Sequence, residues 1–153
     1  MTEKKIPVLA VRQPFAGLIA ADLKGYEVRR YPYPQGFERQ KIAIYASLTN
    51  PDRVHLRHVK TVLKSQNISL PDSCFVHGAI IAFAELSGCD NIAFPSEFNR
   101  LAGSHYAPSS YWVDGKTYFW DLENIQLIKP VTFKFPRGAV VWAYVASDFL
   151  GVA

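Results

Sequence analysis

The sequence has few cysteines and no long apolar segment. Its two cysteines, Cys74 and Cys89, do not form a Cys-x-x-Cys pair, which argues against a disulfide framework or a cysteine zinc site and favours a reducing compartment. No apolar run approaches the roughly 18 residues of a membrane-spanning helix. Residues 1–5 are followed by no long apolar segment of the kind found in secretory signals. We therefore expect a cytoplasmic protein that does not bind membranes.

The sequence also lacks the motifs of several large enzyme classes. It has no Gly-rich phosphate loop, no His-Glu-x-x-His zinc motif and no Gly-x-Ser-x-Gly nucleophile motif. His55 and His58 lie three residues apart on a predicted helix, but no further ligand has the spacing of a structural metal site. His77 and His105 are isolated, and the sequence assigns them no role. We therefore predict neither a metal nor a cofactor.

Positive charge is concentrated in the first half of the chain. The 153 residues carry 17 Lys and Arg against 13 Asp and Glu. Residues 1–76 have a net charge of +6, whereas residues 77–153 have a net charge of −2. A basic half can attract phosphate groups, as in nucleic-acid-binding proteins, although a solvated basic surface has the same composition. The length suits one domain, which we expect to span residues 1–153.

Hydrophobic alternation and turn residues predict many short strands and two main helices. Strands are predicted at Ile6–Val11, Tyr26–Tyr31, Lys41–Ser47, Gly78–Leu86, Glu123–Ile128, Val131–Phe135 and Ala139–Val145. Helices are predicted at Pro14–Leu23, from an Asn50 cap to about Ser65, and over a short segment near Pro95–Leu101. Asp114-Gly115 predicts a hairpin turn. This pattern predicts an α+β fold built on a small, closed or nearly closed β-barrel.

Two adjacent motifs near the N-terminus are the most informative part of the chain. Residues 12–16 read RQPFA, after an apolar strand, and residues 22–29 read DLKGYEVR. Three ionisable side chains, Lys24, Glu27 and Arg29, therefore follow a predicted buried helix within six residues. In an extended segment Glu27 and Arg29 point to the same face. The alternative is a salt-bridge set on the surface, which would contribute little to stability.

These motifs resemble those of the ASCH domain, a branch of the PUA-like superfamily. Members of that family open with a strand, a Gln-Pro-aromatic-Ala helix start and a Gly-x-Lys-x-x-Glu-x-Arg segment, in which Asp22 here replaces the first Gly. Later segments match in order, namely Lys41–Ser47, Gly78–Leu86 and Phe119–Asn124 (FWDLEN). The resemblance covers about residues 8–145. It implies a single domain with a PUA-like β-barrel and flanking helices.

The resemblance also implies a cleft between the first helix and the barrel. Four residues are the catalytic candidates: Lys24, Glu27, Ser47 and Tyr45. Lys24 offers a point charge for phosphate, and Glu27 would act as a base or orient Lys24. Ser47, on the same face of its predicted strand as Tyr45, would donate a hydrogen bond to substrate or be activated by Lys24. The alternative for Ser47 is a hydroxyl satisfied by the backbone.

A second group of residues is predicted to bind nucleic acid. Arg12 and Gln13 lie where a strand meets a helix N-terminus, a place that can receive an anion, although Gln13 could simply cap the helix. Arginines next to aromatic rings can hold phosphates while the rings stack on unpaired bases. The remaining candidates of this kind are Arg29, Arg30, Tyr31 and Tyr33.

From this resemblance we predict a single-stranded RNA-binding or nucleotide-binding domain that could also hydrolyse RNA. One branch of the family removes the acetyl group of an acetylated nucleoside by means of a Lys and a Thr three residues later. Glu27 occupies that Thr position here, and a carboxylate is a poor replacement for a hydroxyl nucleophile. Amidohydrolase activity is thus one alternative. Another is a non-catalytic adaptor that recognises modified bases or unspecified partner proteins through the same cleft. We also expect Lys24, Glu27, Arg29 and Ser47 to converge in one pocket, with Lys24 hydrogen-bonded to Glu27 or Ser47.

Overall fold

The computed structural model describes residues 4–139 and 141–150. The strands are β1 (Lys5–Val11), β2 (Tyr26–Arg29), β3 (Lys41–Ala46), β4 (Ala79–Asn91), β5 (Tyr118–Thr132) and β6 (Trp142–Ala146). The helices are α1 (Phe15–Ala20), α2 (Arg53–Ser65), α3 (Pro95–Arg100) and α4 (Ala102–His105), with 3-10 helices at Asp72–Phe75, Ser109–Tyr111 and Ser147–Leu150. Val140, within the predicted last strand, lies outside the described residues.

The six strands form one mixed sheet in the order β2-β5-β4-β3-β1-β6. β1 pairs with β3 in parallel, and the other neighbours are antiparallel. The predicted closed barrel is wrong, because the sheet stays open. A barrel requires its two end strands to pair, but within the described ranges β2 pairs only with β5 and β6 only with β1. The α+β class is confirmed.

The short helix α1 lies deep in the main core. Its residues are all buried, including Phe15, Leu18 and Ile19, which the sequence predicted to face inward. The helix packs against the 3-10 helix Asp72–Phe75 and against β3, β4 and β5. Gly17 makes this contact close, since a Cβ atom there would lie 2.4 Å from the Cα atom of Cys74. The predicted helix Pro14–Leu23 is therefore real but shorter at both ends.

α2 lies on the surface and begins later than predicted. Asp52, rather than Asn50, caps it, because the Asp52 carboxylate accepts the N–H groups of Val54 and His55 at 2.8 and 3.2 Å. Only Val59 and Leu63 of this helix are fully buried. None of the helices in residues 4–139 and 141–150 is both long and apolar enough to cross a bilayer.

β5 runs continuously through Pro130, where the sequence predicted two separate strands. The register of β4 with β5 shifts between Ile80 and Ala82, and Pro130 lies in the matching stretch of β5. A bulge tolerates proline because the residue there needs no ladder hydrogen bond. The Asp114-Gly115 turn is present, with the N–H of Lys116 donated to the carbonyl of Val113 at 3.0 Å. Trp112, however, ends a 3-10 helix instead of a hairpin strand.

Candidate nucleotide-binding cleft

A largely buried array of three charges, Lys24, Glu27 and Arg29, lies on β2 and just before it. The ammonium group of Lys24 is 3.7 Å from Oε1 of Glu27. The guanidinium of Arg29 donates two hydrogen bonds to Oε2 of Glu27, from Nε at 3.1 Å and from Nη2 at 2.7 Å. Glu27 and Arg29 are thus on one face of β2, as strand alternation predicts. The carboxylate is shared by two cations.

Lys24 is enclosed on several sides. Its side chain is buried, and its ammonium group donates a hydrogen bond to the backbone carbonyl of His105 and lies 5.2 Å from the centre of the Phe15 ring. Lys24 therefore donates its hydrogen bond to His105, and Glu27 is its ion-pair partner. Ser47, the other predicted partner, bonds to Thr49 instead.

Burial and charge move the pKa values of the array in a consistent way. Burial lowers the pKa of Lys24 to about 8, although the charge of Glu27 works against this. Burial alone would raise the pKa of Glu27, but Arg29 and Lys24 more than offset it, so that pKa is lowered. Glu27 is therefore ionised at neutral pH. A carboxylate in this state is an electrostatic anchor and only a weak base.

The carbonyl of His105 is held in place by the imidazole ring of the same residue. Nδ1 accepts the N–H of Ala107 at 2.9 Å, and Nε2 is 2.7 Å from the carbonyl oxygen of Phe98. The ring therefore carries its proton on Nε2. Burial, with a smaller contribution from the nearby charge of Lys24, lowers the pKa of His105 to about 4. A neutral, fully bonded imidazole thus fixes the loop that bonds Lys24.

A cleft of about 410 Å³ opens beside the array. Two predicted catalytic residues, Glu27 and Ser47, and two predicted nucleic-acid-binding residues, Arg12 and Arg29, line it. Three further side chains complete its functional wall: Phe15, Thr49 and Tyr111. Lys24 lies behind Glu27 rather than on the wall. The cleft is thus basic and aromatic, with hydroxyl groups on one side.

Arg29 also joins the cleft to a cluster of aromatic rings. Its guanidinium carbon is 5.6 Å from the centre of the Trp120 ring, and Nη2 donates to the carbonyl of Ala10 at 3.0 Å. Tyr31 and Tyr33 contact the same indole, with ring centres 6.2 and 5.9 Å from that of Trp120. These two tyrosines therefore pack beside Arg29 and do not line the cleft.

Two other predicted site residues, Gln13 and Tyr45, have structural contacts. The Gln13 amide nitrogen donates to the carbonyls of Ser73 and Val76 at 2.8 and 2.7 Å, and its oxygen accepts the N–H of Gly17 at 2.9 Å. Tyr45 is buried on the opposite face of the sheet, where its ring stacks 5.2 Å from that of Phe135. β3 ends at Ala46, so Ser47 lies beyond the strand. The strand alternation that predicted a shared face for Ser47 and Tyr45 therefore does not apply.

Arg30 lies at the rim of the cleft, where its exposed guanidinium donates to the carbonyl of Tyr111. Tyr111 is the main cleft residue that the sequence did not single out. Its hydroxyl is 3.1 Å from Nδ1 of His55, and their rings are 5.0 Å apart. It comes from the irregular segment after β4, and only the folded chain brings that segment to β1 and β2.

No group of three or more metal-ligating side chains occurs in the part of the chain that the structure describes. His55 contacts Tyr111, and Nδ1 of His77 is 2.9 Å from the carbonyl oxygen of Ser47. Burial lowers the pKa of His58. The imidazoles of His55, His77 and His105 thus make packing or backbone contacts.

Comparison with solved structures supports the fold. No protein-family model matches the chain, and no curated protein matches its sequence. The chain is similar to ASCH from Zymomonas mobilis, with a TM-score of 0.59 and 18% identity over 95% of this chain and 90% of that chain. A tyrosine-to-phenylalanine mutant of that protein gives a TM-score of 0.59 at 18% identity, covering 97% of this chain and 95% of the mutant. A serine-to-alanine mutant gives 0.60 at 17% identity, with coverages of 99% and 95%. The ASCH-type fold inferred from the motifs is therefore confirmed.

Proposed function

We propose that this chain acts as one domain that binds single-stranded RNA or a nucleotide in the cleft. The observation that carries the proposal is the convergence of Arg12, Arg29, Ser47, Thr49 and Tyr111 in a single cavity of about 410 Å³. This volume lies within the roughly 300 to 1,000 Å³ of typical small-ligand sites. The wall combines positive charge, hydroxyl groups and an aromatic ring. These are the groups that phosphate, ribose and base require.

Arg29 is pre-organised for an anion. Nε and Nη2 are fixed by Glu27 and by the carbonyl of Ala10. Nη1 is left without a hydrogen bond to any residue in the described ranges. A guanidinium held on one side presents its other N–H groups at little entropic cost. Arg12 is exposed and lines the same cleft, so the cleft offers a phosphate group two guanidinium groups.

Binding can be tested with a fluorescent single-stranded RNA of about 12 nucleotides, titrated at several salt concentrations. Arg12→Gln removes a cation that forms no hydrogen bond within the described ranges, so it should leave the fold intact. Each lost phosphate contact lowers the slope of log affinity against log salt by about 0.7. The matched control is Lys129→Gln, which removes an exposed cation on β5. Equal effects of the two substitutions, or no RNA affinity at low salt, would favour the adaptor alternative.

RNA hydrolysis is the second candidate, and the place of Glu27 on the cleft wall is the observation that favours it. Glu27 would accept a proton from an attacking hydroxyl group. Its lowered pKa makes it a weak base, so we expect cleavage to be slow compared with binding. The amidohydrolase alternative has less support, because Lys24 lies behind Glu27 and does not line the cleft.

Cleavage is tested by incubating labelled RNA with the protein and separating the products by length. Products made by the wild type but not by a Glu27→Gln protein that circular dichroism shows to be folded would support hydrolysis at this site. Intact RNA after prolonged incubation would leave binding as the function.

Cys74 and Cys89 are both free thiols, which supports our placing the protein in the reducing cytoplasm.

A further inference from the structure

The solvent-facing side of α2 carries a row of positive charge. Arg53, Arg57, Lys60 and Lys64 follow one another at intervals of four, three and four residues, and all four are exposed. A rotation of about 100° per residue places them within an arc of about 60°, and a rise of about 1.5 Å per residue makes the row about 16 Å long. We call these four residues the α2 ridge.

No carboxylate neutralises the α2 ridge in the described part of the chain. α2 contains no Asp or Glu, and the ion pairs of the described residues involve other cations, Lys24, Arg29 and Arg39. Asp52, the acidic residue nearest in sequence, is occupied as the helix cap. Like charges spaced three or four residues apart destabilise a helix. Helix stability therefore does not explain the ridge.

The surroundings of the ridge suit a polyanionic strand better than a lipid surface. The four cations, with Leu56 and Thr61, form an open patch on the outer face of α2. Val59 and Leu63 point to the core and are buried. A helix that lies on a membrane buries its apolar face in the lipid, but here that face already contacts the protein. The outer side of α2 therefore offers mainly electrostatic contact along the ridge.

The N-terminal end of the ridge adjoins the cleft. Thr49 lines the cleft and precedes Arg53 by four residues. Tyr111 of the cleft wall contacts His55 in the first turn of α2, with 3.1 Å between the hydroxyl oxygen and Nδ1. A strand that leaves the cleft on this side would meet Arg53 first and could then follow the helix axis.

We infer that the α2 ridge binds the phosphate backbone of the RNA strand whose nucleotide occupies the cleft. The inference deepens the proposed function and rests on it for the identity of the ligand. The cleft contacts one nucleotide, and the ridge contacts the phosphates that follow. The protein therefore binds a strand more tightly than a free nucleotide, and the difference depends on charge.

The test compares two double variants on two ligands. R57Q/K60Q removes the two central ridge cations, and Gln has nearly the same helix propensity as Lys and Arg. K129Q/K134Q removes the same charge from exposed positions on β5 and just after it. The ligands are a 12-nucleotide single-stranded RNA and a nucleoside monophosphate. R57Q/K60Q loses two phosphate contacts, each of which contributes about 0.7 to the slope of log affinity against log salt. When the salt concentration rises from 50 to 200 mM, the RNA affinity of the wild type should therefore fall about sevenfold more than that of R57Q/K60Q.

The expected pattern is specific to the ridge. R57Q/K60Q lowers the RNA salt slope and leaves monophosphate affinity unchanged, while K129Q/K134Q changes neither. Equal RNA slopes for the wild type and R57Q/K60Q, or an equal loss in both double variants, would overturn the inference. So would ridge-dependent binding to anionic phospholipid vesicles without any effect on RNA. Failure of the cleft proposal looks different, because Arg12→Gln would then leave the affinity for both ligands unchanged.

Discussion

Arg29 and Glu27 are joined through a single carboxylate oxygen, which accepts hydrogen bonds from Nη2 at 2.7 Å and from Nε at 3.1 Å. The other carboxylate oxygen faces the buried Lys24 at 3.7 Å. The Glu27 carboxylate thus contacts both a buried cation, Lys24, and a cation of the cleft wall, Arg29. Stability and the geometry of the cleft therefore depend on the same group.

Glu27→Gln should be strongly destabilising. The substitution keeps the shape of the side chain but leaves Lys24 and Arg29 without their counter-charge. Removing one partner of a buried ion pair typically costs about 3–5 kcal/mol. Urea denaturation at pH 7 measures the loss in the free energy of unfolding. The control is Glu123→Gln, since Glu123 pairs with Arg39 at a similar 2.9 Å but both side chains are exposed. Its cost should be about 1 kcal/mol or less, and equal costs would contradict the account.

The contribution of Glu27 should also disappear in acid. Its pKa is lowered in the folded protein, so its contribution is complete above the unfolded value of about 4.3. The contribution is lost as the pH falls through the lower, folded pKa. The difference in unfolding free energy between the wild type and Glu27→Gln should therefore shrink below about pH 4. A difference that stays constant down to pH 2 would contradict this.

Lys24 should also make stability rise with pH, but in the basic range. Its pKa is about 8 in the folded protein and about 10.4 when unfolded. Between these values the unfolded chain binds more protons, so stability rises with pH. Compared with Lys24→Met, the wild type should gain up to about 3 kcal/mol of unfolding free energy from pH 7.5 to 10. Denaturation series of both proteins across this range measure the gain, and parallel curves would contradict the lowered pKa.

The sequence predicted the parts of the site that local rules determine. Strand alternation placed Glu27 and Arg29 on one face, and the short apolar stretch after Pro14 predicted a buried helix. The carbonyl of His105 accepts a hydrogen bond from Lys24, and the carbonyl of Tyr111 accepts one from Arg30, each across more than 80 positions of the chain. Such contacts have no local pattern. Only the three-dimensional fold reveals them.

Gln13→Ala should destabilise the fold without changing RNA recognition. The side chain satisfies two backbone carbonyls and one backbone N–H in a buried position. Leaving buried groups unsatisfied costs about 1–3 kcal/mol each. Thermal or urea unfolding measures the loss, while the salt slope of RNA binding by the folded fraction should equal that of the wild type. A reduced slope at unchanged stability would instead support the predicted nucleic-acid-binding role of Gln13.

Gly17→Ala should be among the most damaging single-methyl additions. The new Cβ would lie 2.4 Å from both the Cα and the backbone nitrogen of Cys74, and backbone atoms cannot move aside as a side chain can. Overpacking of this kind costs about 1–3 kcal/mol or more. Gly25→Ala is the control, because nothing lies within 4 Å of its added Cβ. Comparable unfolding free energies for the two variants would contradict the close contact of α1 with the Asp72–Phe75 helix.

The errors of the sequence-based fold prediction share a cause. Closure of the sheet depends on whether β2 and β6 meet, and this depends on the whole strand order rather than on any single segment. Pro130 predicted a strand break, but a bulge against Ile80–Ala82 accommodates it. Asn50 and Asp52 are both good helix caps, and the choice between them depends on where α2 meets the core. Local sequence does not contain this information.

The most direct test of the central claim is a titration of the ¹⁵N-labelled protein with a nucleoside monophosphate, followed by NMR. If the cleft binds nucleotides, the largest chemical-shift changes should occur at the cleft residues Arg12, Ser47, Thr49 and Tyr111 and at the Arg29 guanidinium. The signals of residues around Lys129, near the C-terminal end of β5, should not shift. Saturable changes confined to the cleft would support the nucleotide site. An unchanged spectrum at millimolar nucleotide, or shifts confined to residues outside the cleft, would contradict it.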